Sequence, residues 1–187
     1  MKKILIVSGH TDLNISLANK TILEEISKLM PDAEIACLDK LYPGFKIDIQ
    51  AEQERLTRAE IIVLQYPIHW YSASSLLHRW LEQVLTYGFA YGQDGDKIKG
   101  KPLILSFTSG SPEEAYRYGG YQGYPIKDFL PGYKQLAILC GLKWEGYIYT
   151  GGFSFVSRDD IEKTAIMKEK AIKHAHRLAE KLKNLNI

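Results

Sequence analysis

The chain has 187 residues, 45% of them hydrophobic and 25% charged, which suits one compact domain with a substantial core and leaves no reason to expect a second. A net charge of +2, with no run in which Lys and Arg interleave with aromatic residues, argues against nucleic acid as a partner and for small molecules or proteins. The two cysteines, Cys37 and Cys140, both lie in apolar surroundings and read as buried reduced thiols, since the usual companions of a disulfide, a metal site or a catalytic thiol are missing.

Met1-Lys2-Lys3 leads into only about five apolar residues before Ser8-Gly9-His10, too few for a signal peptide or a membrane span, so a cytoplasmic location is expected. Ile4 to Val7 form a continuous apolar strand that breaks at a polar loop, Ser8 to Asn14. A helix begins near Ser16 with Ala18, Ile22, Ile26 and Leu29 as its buried stripe, and Pro31 closes it. Ala33 to Leu38 give a second strand, completing a strand-helix-strand unit of the kind that builds parallel sheets. A turn-rich segment, Asp39 to Gly44, precedes a polar helix from about Asp48 to Arg58.

The stretch from Ile61 to Val84 organises the rest. Ile61, Ile62, Val63 and Leu64 lack the alternation of a half-exposed strand and fit the middle of a sheet covered on both faces. Pro67, with no N–H for the ladder, ends that strand. After the turn, Leu76, Leu77, Trp80, Leu81 and Val84 recur at helical spacing, with Ser74 or Ser75 as the N-cap. Thr86 to Lys101 form a long Gly-rich loop, and long loops in compact domains tend to be functional. Pro102 to Phe107 give the fourth strand. A loop with Tyr116, Tyr118, Tyr121 and Tyr124 follows, then a helix holding Leu136, Ala137, Leu139 and Cys140 that Gly141 can cap. The fifth strand runs from about Lys143 to Thr150. A last helix is expected to start at Ser157, with Asp160 at capping-box spacing and Ile161, Ala165, Ile172, Ala175, Ala179 and Leu182 on its buried face. Five strands alternating with five helices predict an α/β fold, a flavodoxin-like doubly wound parallel sheet.

Ligands of such sheets sit at the carboxyl ends of the strands. Three loops meet there: His10 to Ser16, Pro67 to Tyr71, and Thr108 to Tyr121. The helix start near Ser16, with Asn14 and the His10 imidazole, suits a phosphate. The aromatic rings of the other two loops suit an isoalloxazine. The Gly-x-Gly-x-x-Gly pattern of nicotinamide dinucleotide folds and the Lys-bearing phosphate loop are both missing. Ser109 lacks the Gly-x-Ser-x-Gly setting of a hydrolase nucleophile, and the histidines show no set of metal-ligand partners.

With these residues in place the chain resembles the flavin-dependent NAD(P)H:quinone oxidoreductases of the DT-diaphorase type, nearly end to end. The likeness rests on His10 followed by Ser16-Leu17-Ala18-Asn19, on Gln65-Tyr66-Pro67-Ile68-His69-Trp70-Tyr71, on Trp80-Leu81, on Gly88-Phe89-Ala90-Tyr91-Gly92, and on Thr108-Ser109-Gly110 with Tyr116. The resemblance implies that His10, Ser16, Leu17 and Asn19 hold the phosphate end of the flavin. By the same likeness Pro67, Ile68, His69, Trp70 and Tyr71 line one edge of its ring, and Thr108, Ser109, Gly110 and Tyr116 another. It further implies FMN, with FAD as the alternative, NAD(P)H as reductant, and a homodimer whose active sites lie at the interface. Phe89 and Tyr91 would then join Trp70 and Tyr71 in a slot for quinone-like acceptors.

Two departures stand out. Arg117 to Tyr124 hold no histidine, where the mammalian enzyme pairs its tyrosine with one, and the mammalian enzyme's long extra C-terminal segment has no counterpart. Both make the chain more similar to short bacterial members, among them the ancillary oxidoreductase of glutathione-gated potassium efflux systems. The expected reaction is a ping-pong hydride transfer with Tyr116 as the catalytic hydrogen-bond donor. The rival readings are an electron-carrier flavodoxin and a regulatory subunit of a membrane potassium transporter. The basic residues of the last helix, Lys168, Lys170, Lys173, Arg177, Lys181 and Lys183, read as a solvated face.

Overall fold

The computed structural model describes residues 2–157 and 159–186. Five parallel strands, β1 (Ile4–Ser8), β2 (Glu34–Cys37), β3 (Ile61–Pro67), β4 (Pro102–Thr108) and β5 (Lys143–Thr150), form one sheet in the order β2-β1-β3-β4-β5. Helices α1 (Leu17–Leu29), α2 (Leu38–Leu41), α3 (Ile49–Arg58), α4 (Ser75–Val84), α5 (Pro131–Leu139) and α6 (Ile161–Asn184) cover its two faces. Successive side chains of a strand point to opposite faces, and the core divides accordingly. Ile4, Ile6, Ile61, Val63 and Ile104 pack with Ile22 and Ile26 of α1 and with Ala171, Ala175, Leu178 and Leu182 of α6. Leu5, Val7, Ile62, Leu64, Leu103 and Leu105 pack instead with Leu76, Leu77, Trp80 and Val84 of α4 and Ala137 of α5. This is the flavodoxin-like doubly wound sheet expected from the unalternating strands. Among the described residues no helix is long and apolar enough to cross a membrane.

Local chemistry sets the helix ends. Ser16 caps α1 by accepting from the Asn19 N–H at 3.1 Å, and Ser74 caps α4 by accepting from the Leu77 N–H at 3.2 Å, so Ser74 rather than Ser75 does that work. Gly141, at φ 63°, follows the end of α5 in the left-handed conformation that closes a helix. The last helix departs from expectation. Its N-cap is Asp160, which accepts from the Lys163 N–H at 3.0 Å, while Ser157 closes a 3-10 turn over Phe155–Ser157. The Asp160 carboxylate also pairs with the Lys163 ammonium at 3.0 Å, an advantage a serine cap lacks.

The buried face of α6 is also rotated from the expected stripe. Ile161 is 87% exposed, and Ala165 and Ile172 are exposed as well. The residues that meet the sheet and α1 are Met167, Ala171, His174, Ala175, Leu178, Ala179 and Leu182. The first turn and a half of the helix runs past the core, so apolar residues there mark no buried face. Two smaller differences occur near β2. The strand stops at Cys37, and the segment read as a turn coils into α2 because Leu38 is drawn fully into the core. Cys37 is half-buried instead of buried, while Cys140 is buried; both are free thiols.

Candidate functional site

The strand order reverses at β1, which has β2 on one side and β3 on the other, and the crevice at that switch point opens outside the carboxyl ends of the strands. Here the loops after β1, β3, β4 and β5 enclose a cavity of about 340 Å³, within the range of small-ligand sites. His10, Ser16, Leu17, Asn19, Pro67, Ile68, His69, Thr108, Ser109 and Gly110 all line it, so residues far apart in the chain and singled out by sequence share one pocket.

The wall from α1 is built for an anion. The first N–H groups of a helix have no partner within it, and the peptide dipoles add partial positive charge at that end. Beside them stands His10, mostly buried, whose Nδ1 accepts from the Asp12 N–H at 3.0 Å. The neutral ring therefore carries its proton on Nε2. Burial, then repulsion from His69, lowers the His10 pKa against the opposing pull of Asp39 and Asp12, and burial lowers that of His69. Near neutral pH both rings act as neutral polar groups. Recognition of an anion then falls to N–H and O–H dipoles.

The β4 wall behaves differently. Ser109 Oγ donates to the Ser111 carbonyl at 2.8 Å, so the bond of 2.7 Å between Ser109 Oγ and Tyr149 must have the phenol as donor. With its one proton committed, Ser109 is no nucleophile, and its backbone is committed too: its N–H donates to the Thr150 carbonyl at 3.2 Å and its carbonyl accepts from the Phe153 N–H at 3.0 Å. Tyr149 is buried, and burial pushes its phenol well above the ordinary range, keeping it a neutral donor. Glycine is required just beyond: a Cβ on Gly151 would stand 2.7 Å from both the Ser111 carbonyl oxygen and the Tyr149 hydroxyl. That close approach brings the β5 loop onto the β4 loop and adds Phe153, Ser154 and Phe155 to the lining, with Met167 from α6.

After β3 the chain makes a tight turn. His69 and Ser72 exchange backbone hydrogen bonds of 2.9 and 3.1 Å, with Trp70 at φ 49° and Tyr71 at φ 66° between them. Two successive left-handed residues make a type I′ turn, a shape usually left to Asn and Gly and costly for bulky side chains. Trp70 gains no packing in return, being 94% exposed. Tyr71 stacks on Phe129 with centroids 5.2 Å apart. Both lie outside the cavity lining.

The remaining expected residues lie elsewhere. Tyr116 is half-buried outside the lining, edge-on to Phe129 at 6.2 Å and to Tyr149 at 6.0 Å, so its position lends no support to the donor role expected of it. Phe89 packs against the core on the α4 side. Tyr91 lines a second cavity of about 460 Å³ with Leu81, Leu85, Phe129, Tyr133 and Leu136. Sequence reasoning missed Phe129, which joins Tyr71 to Tyr116, and it missed the β5 loop. The Gly151-Gly152 pair at a strand's carboxyl end was the available signal for that loop; Phe129 has none, because only the folded chain brings it to Tyr71.

Comparison with known proteins agrees with this fold. Residues 2–175 match the family model described as having a flavodoxin-like fold. The glutathione-regulated potassium-efflux system ancillary protein KefF of Klebsiella pneumoniae (strain 342) is 40% identical over 141 residues, covering 75% of this chain and 78% of that protein. The general stress protein 14 of Treponema denticola, solved in complex with FMN, superposes with a TM-score of 0.84 at 26% identity, covering 96% of this chain and 99% of that one. An NADPH-quinone reductase from P. pentosaceus gives a TM-score of 0.74, covering 94% of this chain and 98% of that one; at 20% identity the likeness is one of fold.

Proposed function

The chain belongs to the family with the flavodoxin-like fold, and on that premise we propose that it is an FMN-dependent oxidoreductase that uses NAD(P)H to reduce quinones or similar flat acceptors. The observation that carries the reading is the switch-point cavity, where a helix N-terminus and hydroxyl donors stand opposite the β3 and β4 loops in one pocket. The FMN held by the Treponema denticola relative supports the cofactor. FMN, when bound, would accept a hydride from NAD(P)H and pass it to the acceptor.

The residues have distinct tasks in this scheme. The N–H groups of Leu17 and Ala18, the hydroxyls of Ser16 and Thr108 and the Nε2–H of His10 would hold the phosphate as dipoles. Pro67, Ile68 and His69 would meet one edge of the ring, and Thr108, Ser109 and Gly110 would line another, with the Gly110 backbone offering its N–H and C=O groups. Trp70 and Tyr71, one in water and one stacked on Phe129, form an aromatic shelf next to the pocket that would accept a flat acceptor with little selectivity. The second cavity, beside which Ile138 and Leu139 stay exposed, is on this reading the face for a second copy of the chain. The likeness to the potassium-efflux ancillary protein favours a second reading, in which the same oxidoreductase also docks on a membrane transporter.

The test is the visible spectrum of the purified protein during anaerobic addition of NADPH and then NADH, followed by a quinone, with the released cofactor identified by mass. A yellow protein that bleaches and recovers supports the proposal and names both cofactors. A colourless protein that takes up neither FMN nor FAD overturns it. Sedimentation velocity and co-purification with membranes test the two partner readings.

A further inference from the structure

On the α1 and α6 face of the sheet the strands carry Ile and Val until their last residues, where the composition changes. Ser8, Gln65 and Ser106 stand directly opposite one another on β1, β3 and β4, in the row after Ile6, Val63 and Ile104, and all three are fully buried. Asn19 from α1 and His174 from α6 close over this row and are buried too. A polar layer inside an apolar sandwich destabilises a fold unless its bonds are complete, so its arrangement calls for an account.

Apart from the Ser8 hydroxyl, which has no partner among the described residues, the bonds form one chain. Arg177 Nη2 donates to Thr150 Oγ1 at 2.6 Å, and Thr150 Oγ1 meets His174 Nδ1 at 2.8 Å. His174 Nε2 meets Ser106 Oγ at 2.8 Å, and Ser106 Oγ donates to Gln65 Oε1. Gln65 Nε2 donates to Asn19 Oδ1 at 2.8 Å. Asn19 Nδ2 then donates to Thr108 Oγ1 at 3.2 Å and to Ser16 Oγ at 3.3 Å, both at the cavity. A hydroxyl has one proton, which fixes the direction. Ser106 has given its proton to Gln65, so it can only accept, and Nε2 of His174 must carry the hydrogen. Nδ1 is then bare and takes the proton of Thr150, whose lone pairs receive Arg177. If the imidazole proton sat on Nδ1 instead, every amide and hydroxyl downstream would reverse and Thr150 would lose the acceptor for its own proton.

We infer that His174, as the Nε2–H tautomer, polarises this chain so that Ser16 and Thr108 meet the cavity with free O–H groups, making it a positioning residue for the phosphate of a ligand it does not touch. The inference rests on the reading of the cavity as a phosphate-bearing flavin site. Ser16 accepts twice from Asn19, through the amide side chain and the backbone N–H at 3.1 Å, which leaves its proton for the ligand. Thr108 accepts once and likewise keeps its proton. In the reversed chain the same two oxygens would present lone pairs, which repel an anion. Burial and the Arg177 cation keep the ring neutral, with its pKa brought down to about 3.

Two measurements test this. Imidazole nitrogen shifts of the full chain at pH 7 should report His174 with its proton on Nε2; a proton on Nδ1 overturns the polarity without reference to any ligand. Fluorescence titrations with FMN and with riboflavin, which lacks the phosphate, then compare the unsubstituted apoprotein with His174→Leu and His174→Gln. His174→Leu is expected to weaken FMN binding about tenfold and leave riboflavin within about twofold, while His174→Gln, which keeps an N–H for Ser106, restores the preference. Loss of both ligands alike, or an unchanged preference in His174→Leu, overturns the inference. An unsubstituted protein that binds FMN no better than riboflavin removes the phosphate reading itself, and the role of His174 with it.

Discussion

The imidazoles of His10 and His69 meet in the cavity with centroids 6.2 Å apart and ring planes at 71°. Each is held below its ordinary pKa, chiefly by burial, and His174 more strongly, to about 3. An unfolded chain takes up protons on these rings near pH 6.5 and the folded one does not, so stability is full above that value and falls as the pH drops below it. His174 alone contributes a loss of about 2 kcal/mol between pH 7 and pH 5. Thermal unfolding of the apoprotein at pH 7, 6 and 5 should give steadily lower midpoints. A flat profile would mean that these rings titrate normally in the fold.

Ser16 has two separable tasks, capping α1 and offering a proton to the cavity. Ser16→Ala should lower stability by about 1 kcal/mol and weaken FMN binding. Ser16→Asn restores a good cap but not the hydroxyl, so its urea midpoint should recover while FMN affinity stays low. Recovery of both would assign Ser16 to the helix alone.

Tyr116 sits behind Phe129 and outside the cavity lining. Tyr116→Phe is therefore expected to change the rate of flavin reduction by NAD(P)H less than about twofold, because ring packing survives and only a hydroxyl outside the cavity lining is lost. Stopped-flow reduction measures it, and a fall of tenfold or more would return this tyrosine to the catalytic role expected from the sequence.

Gly9 follows β1 and lies against α4, where a Cβ would lie 2.5 Å from Leu77 Cβ, and its carbonyl accepts from the Ser74 hydroxyl. A methyl group there must push the helix away from the sheet. Gly9→Ala should cost about 1–3 kcal/mol in urea unfolding and weaken flavin retention by displacing the loop that carries His10. An unchanged midpoint would show that α4 gives way freely.

What the chain revealed in advance was whatever rests on local pattern. The β-branched runs from Ile4 and Ile61 marked central strands, Ser16 marked a helix start, and the loops after three strands marked a site that the fold assembles. The misses have non-local causes. Glu52 lies in a helix of polar composition, yet it is fully buried, accepting from the Tyr42 hydroxyl at 2.7 Å and the Trp80 indole at 2.8 Å, and no periodicity foretells such a pairing. His174 looked like one of several unpartnered histidines until the sheet brought Ser106 and Thr150 to it. The start of α6 was misread because Asp160 and Ser157 offer competing caps, and the exposed Ile161 imitates a buried face.

The turn at Trp70 and Tyr71 has a consequence for how such a chain can change over time. The indole in water supports nothing beneath it, and the turn is closed by the backbones of His69 and Ser72, with Tyr71 alone stacked on Phe129. Mutations there escape the tax that core mutations impose, so new side chains can be sampled without loss of the fold. The floor of the pocket enjoys no such freedom, since a change at Gln65, Asn19 or His174 leaves a buried partner unpaired. Sequence change at this turn should thus be tolerated more readily than change at the floor of the cavity.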